Sequence, residues 1–294
     1  MCRKSAGAAI GTIILCLSAL MAHGAFEDIG MGARPLGMGS AFVASADGAS
    51  AIFWNPAGVV QTAHRELIMS YVELYELVSY SSLGYAHRMK VGSIGFGVVS
   101  SNDGDGVYQE TTLALSGARE IYSGLNVGAN IKYLFSVANT GDIRIGGGKG
   151  LALDLGSQYH IWNDAVFLGA SLQNLISHVS YDRETVKDIP GQEYSEGLDI
   201  SYKLGAGVSL GNLLAQTQNA IVAVEFSDGY AHAGAEYTFW DIIAVRAGVR
   251  TGNALTRAIT TGFGLRLSAF RLDYAYVGSE VGAQTSQFSL SIDW

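Results

Sequence analysis

The run Gly146-Gly147-Gly148-Lys149-Gly150 has the glycines and the lysine of a phosphate-binding loop. Such a loop needs Ser or Thr after the lysine and a further glycine at its start. Here Gly150 follows Lys149 and Ile143 stands where the first glycine belongs, so the run reads as a loop tip. The pairs Gly30/Gly32 and Gly37/Gly39 do not complete a dinucleotide-binding pattern and follow no predicted strand. His64, His87, His160, His178 and His232 are scattered without metal-ligand spacing. His232 and Glu236 share a strand face, but they lack a third ligand. No nucleophile-elbow sequence is present. The expectation is therefore no enzyme: no catalytic residue, no metal and no cofactor.

One set of charges does have a common address. Lys132, Asp154, Lys203, Glu225, Glu236, Arg246, Arg250, Arg266, Arg271, Asp273 and Asp293 occupy the polar positions of alternating segments. A barrel in a membrane keeps its outward face apolar, which leaves charge for the inside. A selectivity pore would carry a ring of one sign. These signs are mixed, as suits cross-bracing of the wall or the holding of a plug. Arg246, Arg250 and Arg266 should then find carboxylates such as Glu236, Glu225 or Asp273, or the plug itself.

The elements that must position these charges are strands. In 125–135, Leu125, Val127, Ala129, Ile131, Tyr133 and Phe135 alternate with Asn126, Gly128, Asn130 and Lys132. Phe270, Leu272, Tyr274 and Tyr276 repeat the pattern against Arg271 and Asp273, as do Phe288, Leu290, Ile292 and Trp294 against Ser289, Ser291 and Asp293. Tilted strands of about 9–11 residues with one apolar face cross a bilayer. Segments of this kind fall near 65–74, 77–88, 91–101, 108–119, 122–136, 149–160, 166–175, 197–210, 219–227, 230–239, 242–252, 257–267, 270–278 and 285–294. Their number is about fourteen, and even, as bacterial single-chain barrels are. Every second connection should be a short turn: Met89-Lys90, Glu120-Ile121, 162–164, Trp240-Asp241 and Ser268-Ala269 are, while 211–218 is of medium length. The others should be longer and lie outside, such as 137–148 and 176–196; 74–77 and Asp228-Gly229 break that rule. A soluble sandwich or propeller also has short alternating strands. Large apolar residues on nearly every strand, and a last strand ending in Trp294, weigh toward the barrel. Phe288 and Trp294 read as the terminal signal for barrel-assembly machinery, with outer-membrane lipid around the wall.

One stretch does not alternate. ARPLGMGSAFVASADGASAIFWNPAG, residues 33–58, is apolar, rich in small residues, and broken by Pro35, Gly37, Gly39, Gly48 and Pro56. Phe42, Val43, Ile52, Phe53 and Trp54 require burial, while Arg34, Asp47 and Asn55 require polar partners. The fold class expected is a transmembrane antiparallel β-barrel of about 14 strands with this N-terminal hatch or plug inside. Residues Asn55-Pro56-Ala57 should form a tight turn that obstructs the lumen.

Glycine makes up 38 of 294 residues, about 13%, against the usual ~7%. The net charge of −8 excludes a generic nucleic-acid binder. Arg3 and Lys4 precede an apolar run over 8–22, and Ala22-His23-Gly24 supplies small residues for cleavage after Gly24. The expected division is a signal peptide over 1–24, a hatch over 25–63 and an outer-membrane barrel over 64–294. Both cysteines, Cys2 and Cys16, fall in the part removed. No later segment is apolar for the ~18 residues of a spanning helix.

Residues 33–58 resemble the hallmark of the PorV/PorQ family, outer-membrane proteins related to the FadL fatty-acid channels. The resemblance rests on Arg34, Gly37, Met38, Gly39, Ala41, Phe42, Asp47, Asn55, Pro56, Ala57 and Gly58. The segments GAEYTFWDIIAVRAGVRTGN and GFGLRLSAFRLDYAYV are similar to the family's last strands. The resemblance implies a 14-stranded barrel with an N-terminal hatch in the cell outer membrane. It implies either passage of hydrophobic small molecules gated by that hatch, or a part in type IX secretion in which the barrel holds cargo proteins at the surface beside secretion-system proteins. A structural surface barrel without transport is a third role.

Overall fold

Alternation of side chains along a strand gives every strand here a wet face and an apolar face, and only closure into a ring removes the unpaired edges such strands would leave in hydrocarbon. A computed structural model of the chain describes residues 26, 30–74, 77–104, 106–141, 143–184, 191–214, 219–252, 257–279 and 284–294. The expected signal peptide, 1–24, lies outside the described residues. The strands are β1 (Arg65–Leu74), β2 (Val78–Met89), β3 (Gly92–Asn102), β4 (Tyr108–Tyr122), β5 (Leu125–Thr140), β6 (Ile143–Ile161), β7 (Val166–Arg183), β8 (Gln192–Glu196), β9 (Ser201–Ser209), β10 (Asn219–Ser227), β11 (Tyr230–Phe239), β12 (Ile243–Arg250), β13 (Ala258–Leu267), β14 (Phe270–Ser279) and β15 (Gln284–Asp293). All pairings are antiparallel between chain neighbours, except that β7 pairs with β9 and β1 pairs with β15. The β1–β15 seam runs from Glu66 opposite Asp293 to Leu74 opposite Thr285 and closes the barrel. β9 pairs with residues 166–173 of β7 and β8 with residues 179–183 farther along the same edge, so β8 extends the wall beyond β9 and the ring closes on fourteen strands.

The register puts Leu125, Ile131, Phe270, Tyr274, Phe288 and Ile292 on outward rows: Phe270 faces Ile292 and Tyr274 faces Phe288 across β14 and β15. Tyr122, Trp162, Trp240 and Trp294 are exposed together at the short-turn end. In membrane barrels, girdles of this kind lie at the membrane–water boundary. Trp294 follows β15, exchanges both backbone hydrogen bonds with Arg65 at the seam, and lies 6.2 Å from the Tyr85 ring.

Two expectations are corrected. The run 146–150 is not a loop tip: it lies inside β6 and pairs with both β5 and β7. Glycine is needed there by close packing, since a side chain on Gly148 would strike the Tyr181 ring and one on Gly146 the Asp182 carbonyl. The connections at 137–148 and 176–196 are likewise largely strand. β6 and β7 reach 19 and 18 residues against 8–12 for β10–β15 and for β1–β3, excluding their turns, so the wall stands tallest on the β5–β8 side.

The core is inside the ring. Met38, Phe42, Val43, Ile52, Trp54 and Val59 are all nearly inaccessible, and all belong to the segment before β1.

Candidate functional site

The segment 30–63 fills the lumen in pieces too short to be stable alone. A one-turn helix, Ala33–Gly37, is followed by two 3₁₀ helices, Gly48–Phe53 and Pro56–Gln61. Proline and glycine prevent longer regular structure, so many backbone groups find no partner within the segment. The wall supplies them. Glu225 of β10 accepts hydrogen bonds from the amides of Phe42 and Val43 at 2.8 and 2.7 Å. Glu66 of β1 accepts from the Ala49 amide at 3.1 Å. Asn130 of β5 donates to the Ile52 carbonyl, and Gln158 of β6 to the Ala46 carbonyl, each at 2.8 Å. Thr260 of β13 donates to the Gly37 carbonyl at 3.0 Å, and Ser289 of β15 accepts from the Ala33 amide at 3.1 Å.

Charge ties the same parts together. Arg34 spans two acids, donating to Asp47 of the plug at 2.7 Å and to Glu236 of β11 at 2.9 Å. Burial works against the charge of Arg34; the two carboxylates outweigh it and hold its pKa above the ordinary arginine value. Glu236 also receives Arg246 of β12, which reaches Asp273 of β14 at 2.7 Å. Arg271 of β14 reaches Glu66 at 3.0 Å and lies 3.4 Å from Asp273. The chain Asp47–Arg34–Glu236–Arg246–Asp273–Arg271–Glu66 therefore alternates in sign across four strands and returns to the plug through Ala49. On the far side Lys132 pairs with Asp154 at 2.8 Å.

The aromatic residues pack as one group. Phe42 meets Trp54 edge-on at 5.8 Å, Arg34 lies over the Phe42 ring at 5.4 Å, and Lys203 lies over Trp54 at 5.1 Å. The Trp54 indole donates to the Met31 carbonyl at 2.7 Å. Asn55 donates to Val43 and to Ser157 of β6 at 2.8 and 3.0 Å, while its side-chain oxygen caps the 3₁₀ helix at Ala57. Asn55-Pro56-Ala57 is thus the start of a helix wedged against β6, rather than a free turn. Gly39 has φ +66°, and a side chain there would enter the backbone of β11 and β12 at Ala233 and Val249. Phe53 is buried, with its carbonyl accepting from Gln173 at 3.3 Å.

The structure brings together Arg34, Gly37, Gly39, Phe42, Asp47, Phe53, Trp54, Asn55 and Pro56 with Glu225, Glu236, Arg246, Arg271 and Asp273. It places two expected arginines elsewhere. Arg266 is exposed at the turn end of β13, and Arg250 stands opposite His232 near the other end of β12. Glu225 serves plug amides where an arginine was expected. The sequence reading passed over Glu66, Gln158 and Gln173; each falls on the polar parity of its strand, which is the signal that marks them. Glu236, considered with His232 for a metal, is committed to two arginines.

No family model matches the chain, and no curated protein matches it. Among solved structures it is similar to CymD, a monoaromatic hydrocarbon channel, at 14% identity over 91% of this chain and 97% of that one, with a TM-score of 0.62. It is similar to the toluene transporter TbuX of Ralstonia pickettii at 14% identity, 91% and 98% coverage and a TM-score of 0.62. The toluene transporter TodX of Pseudomonas putida follows at 13% identity, 90% and 97% coverage and a TM-score of 0.57. At these identities the likeness is one of fold, and the fold shared is a closed antiparallel β-barrel.

Proposed function

We propose that the chain is an outer-membrane channel for hydrophobic small molecules, of the PorV/PorQ type among FadL-like barrels, and that residues 30–63 are its hatch. The observation that carries this reading is how the plug is held. No strand of the wall pairs with it among the described residues, and each tie has a side chain at one end at least. Ties of that kind exchange for water one at a time, whereas a strand ladder parts as a unit. The residues shared with the PorV/PorQ hallmark, Arg34, Gly37, Gly39, Asp47 and Asn55, are those that seat the plug, which supports that family reading. The fold shared with barrels described as hydrocarbon and toluene channels supports the class of solute.

A second reading, in which the barrel holds cargo proteins at the surface, is favoured by the tall β5–β8 wall and by Tyr194, exposed beside Tyr181 at its rim.

Deleting 33–58 and reconstituting the barrel tests both. Small-ion conductance should rise in the deletion, and in the full-length protein entry of a monoaromatic probe such as toluene should change when Arg34, Phe53 or Asn55 is replaced. Unchanged conductance would show that the segment does not block the lumen. Raised conductance with no toluene entry in the full-length protein would favour the surface-binding role.

A further inference from the structure

We infer that the outer wall carries a binding site for a single anionic glycerophospholipid, at the short-turn end of β3–β6. A shallow, largely open recess of about 460 Å³ lies there. Gly117 of β4 and Ala129 of β5, facing each other in the register, form its floor. Met89, Val91, Val127 and Leu155 form its sides. The recess faces away from the lumen: Gly117 and Ala129 continue the outward rows of Leu115 and Ile131, which are 61% and 59% exposed. Behind it the strands remain paired, Ala118 with Gly128 and Ser93 with Ala118, so it is a notch in a closed wall and no passage.

Gly117 sets the notch apart from the other glycine positions. The glycines that face the plug are crowded; side chains on Gly128, Gly156, Gly234 or Gly248 would run into Pro56, Asn55, Met38 or Gly39. A side chain on Gly117 would meet nothing within 4 Å, and its backbone is not in the left-handed region. The fold therefore does not require glycine at 117, and the missing side chain leaves an apolar slot open to hydrocarbon.

The occupant follows from the rim. Arg119 lies on the same outward row, one step nearer the turn, and Lys90 sits between Met89 and Val91. Neither makes an ion pair among the described residues. Both stand at the level of exposed Tyr122 and Trp162, where the membrane meets water. An acyl chain fits the slot, and a phosphate placed above it meets a guanidinium that can bind two oxygens at once and an ammonium beside it. The ligand arrives from the leaflet at that end, and the site is independent of what the lumen carries.

The test is lipid retention by the full-length barrel in mild detergent, read by native mass spectrometry with phosphatidylglycerol or phosphatidylcholine supplied. The wild type should retain one phosphatidylglycerol about tenfold more tightly than phosphatidylcholine. Gly117→Leu, alone and with Ala129→Leu, should lower that retention about tenfold, while Val245→Leu on the far wall leaves it unchanged. Arg119→Gln with Lys90→Gln should abolish the preference and keep the weaker binding of both lipids. Heat-dependent gel mobility reports that each variant is folded, and the single Gly117→Leu change decides the matter if the double one is not. Equal retention by wild type and Gly117→Leu overturns the slot, and equal retention of the two lipids by the wild type overturns the phosphate site.

Discussion

Asp47 and Glu236 approach Arg34 from opposite sides, one from the plug and one from β11, so a single guanidinium closes plug to wall. Removing it leaves Glu236 with Arg246 and leaves Asp47 one-third exposed and able to hydrate. Arg34→Met should therefore cost less than an isolated buried pair, about 2–3 kcal/mol against the usual 3–5. The measurement is the urea midpoint for loss of the folded gel band, with conductance rising in parallel. Arg266→Gln, at an exposed position, should shift the midpoint by less than ~0.5 kcal/mol. Parity alone put Arg246, Arg271 and Asp273 on the inner face. It did not show that Glu225 would bind amides, because which wall group meets which plug atom depends on the path of a segment that has no period of its own.

The inner rows of β5, β6, β11 and β12 carry glycine where the plug touches them: Gly128 and Gly156 at Pro56 and Asn55, Gly234 and Gly248 at Met38 and Gly39. They form the seat. Gly234→Val places its branch on the Met38 carbonyl, against backbone that cannot yield as a side-chain tip would. The plug should be driven out while the ladder survives, seen as higher conductance with an unaltered strand signal in circular dichroism. A conductance equal to wild type would mean that the seat has slack. Strands were legible because dyad alternation survives occasional glycines, and the first and last residues of most were found within a few positions. The upper parts of β6 and β7 were not, since three consecutive glycines read as a breaker unless the Tyr181 ring that fills their space is known. At the other end of the chain, Trp294 is both the last residue and half of the seam contact with Arg65. Its deletion should reduce the folded fraction reaching the outer membrane far more than deletion of Asp228 at an opposite turn. Equal levels would count against Trp294 as an assembly signal.

The ring as a whole can be asked whether its plug has to move. Ile52 of the plug meets Gly95 of β3 so closely that a side chain on Gly95 would lie 2.9 Å from its Cγ1. Ile52→Cys with Gly95→Cys brings the two Cβ atoms into disulfide range, and the chain's only other cysteines, Cys2 and Cys16, precede the expected cleavage point. Oxidation should stop entry of toluene and a reductant should restore it; entry undiminished in the oxidised form would mean that solute passes a stationary plug. The wide spread of the plug's anchors bears on how the barrel comes to exist at all. Phe42 is tied to Glu225 across 183 residues and Ala33 to Ser289 across 256. The segment made early therefore waits for nearly the whole chain before its backbone is satisfied. Closure of loops this long is entropically dear and slow, and contacts of such separation form last. Until β14 and β15 arrive, the ring around residues 33–58 is open and the Ala33 amide has no Ser289 to meet. Folding of this protein is consequently a matter of keeping its own beginning from sticking to anything else until the wall has closed around it.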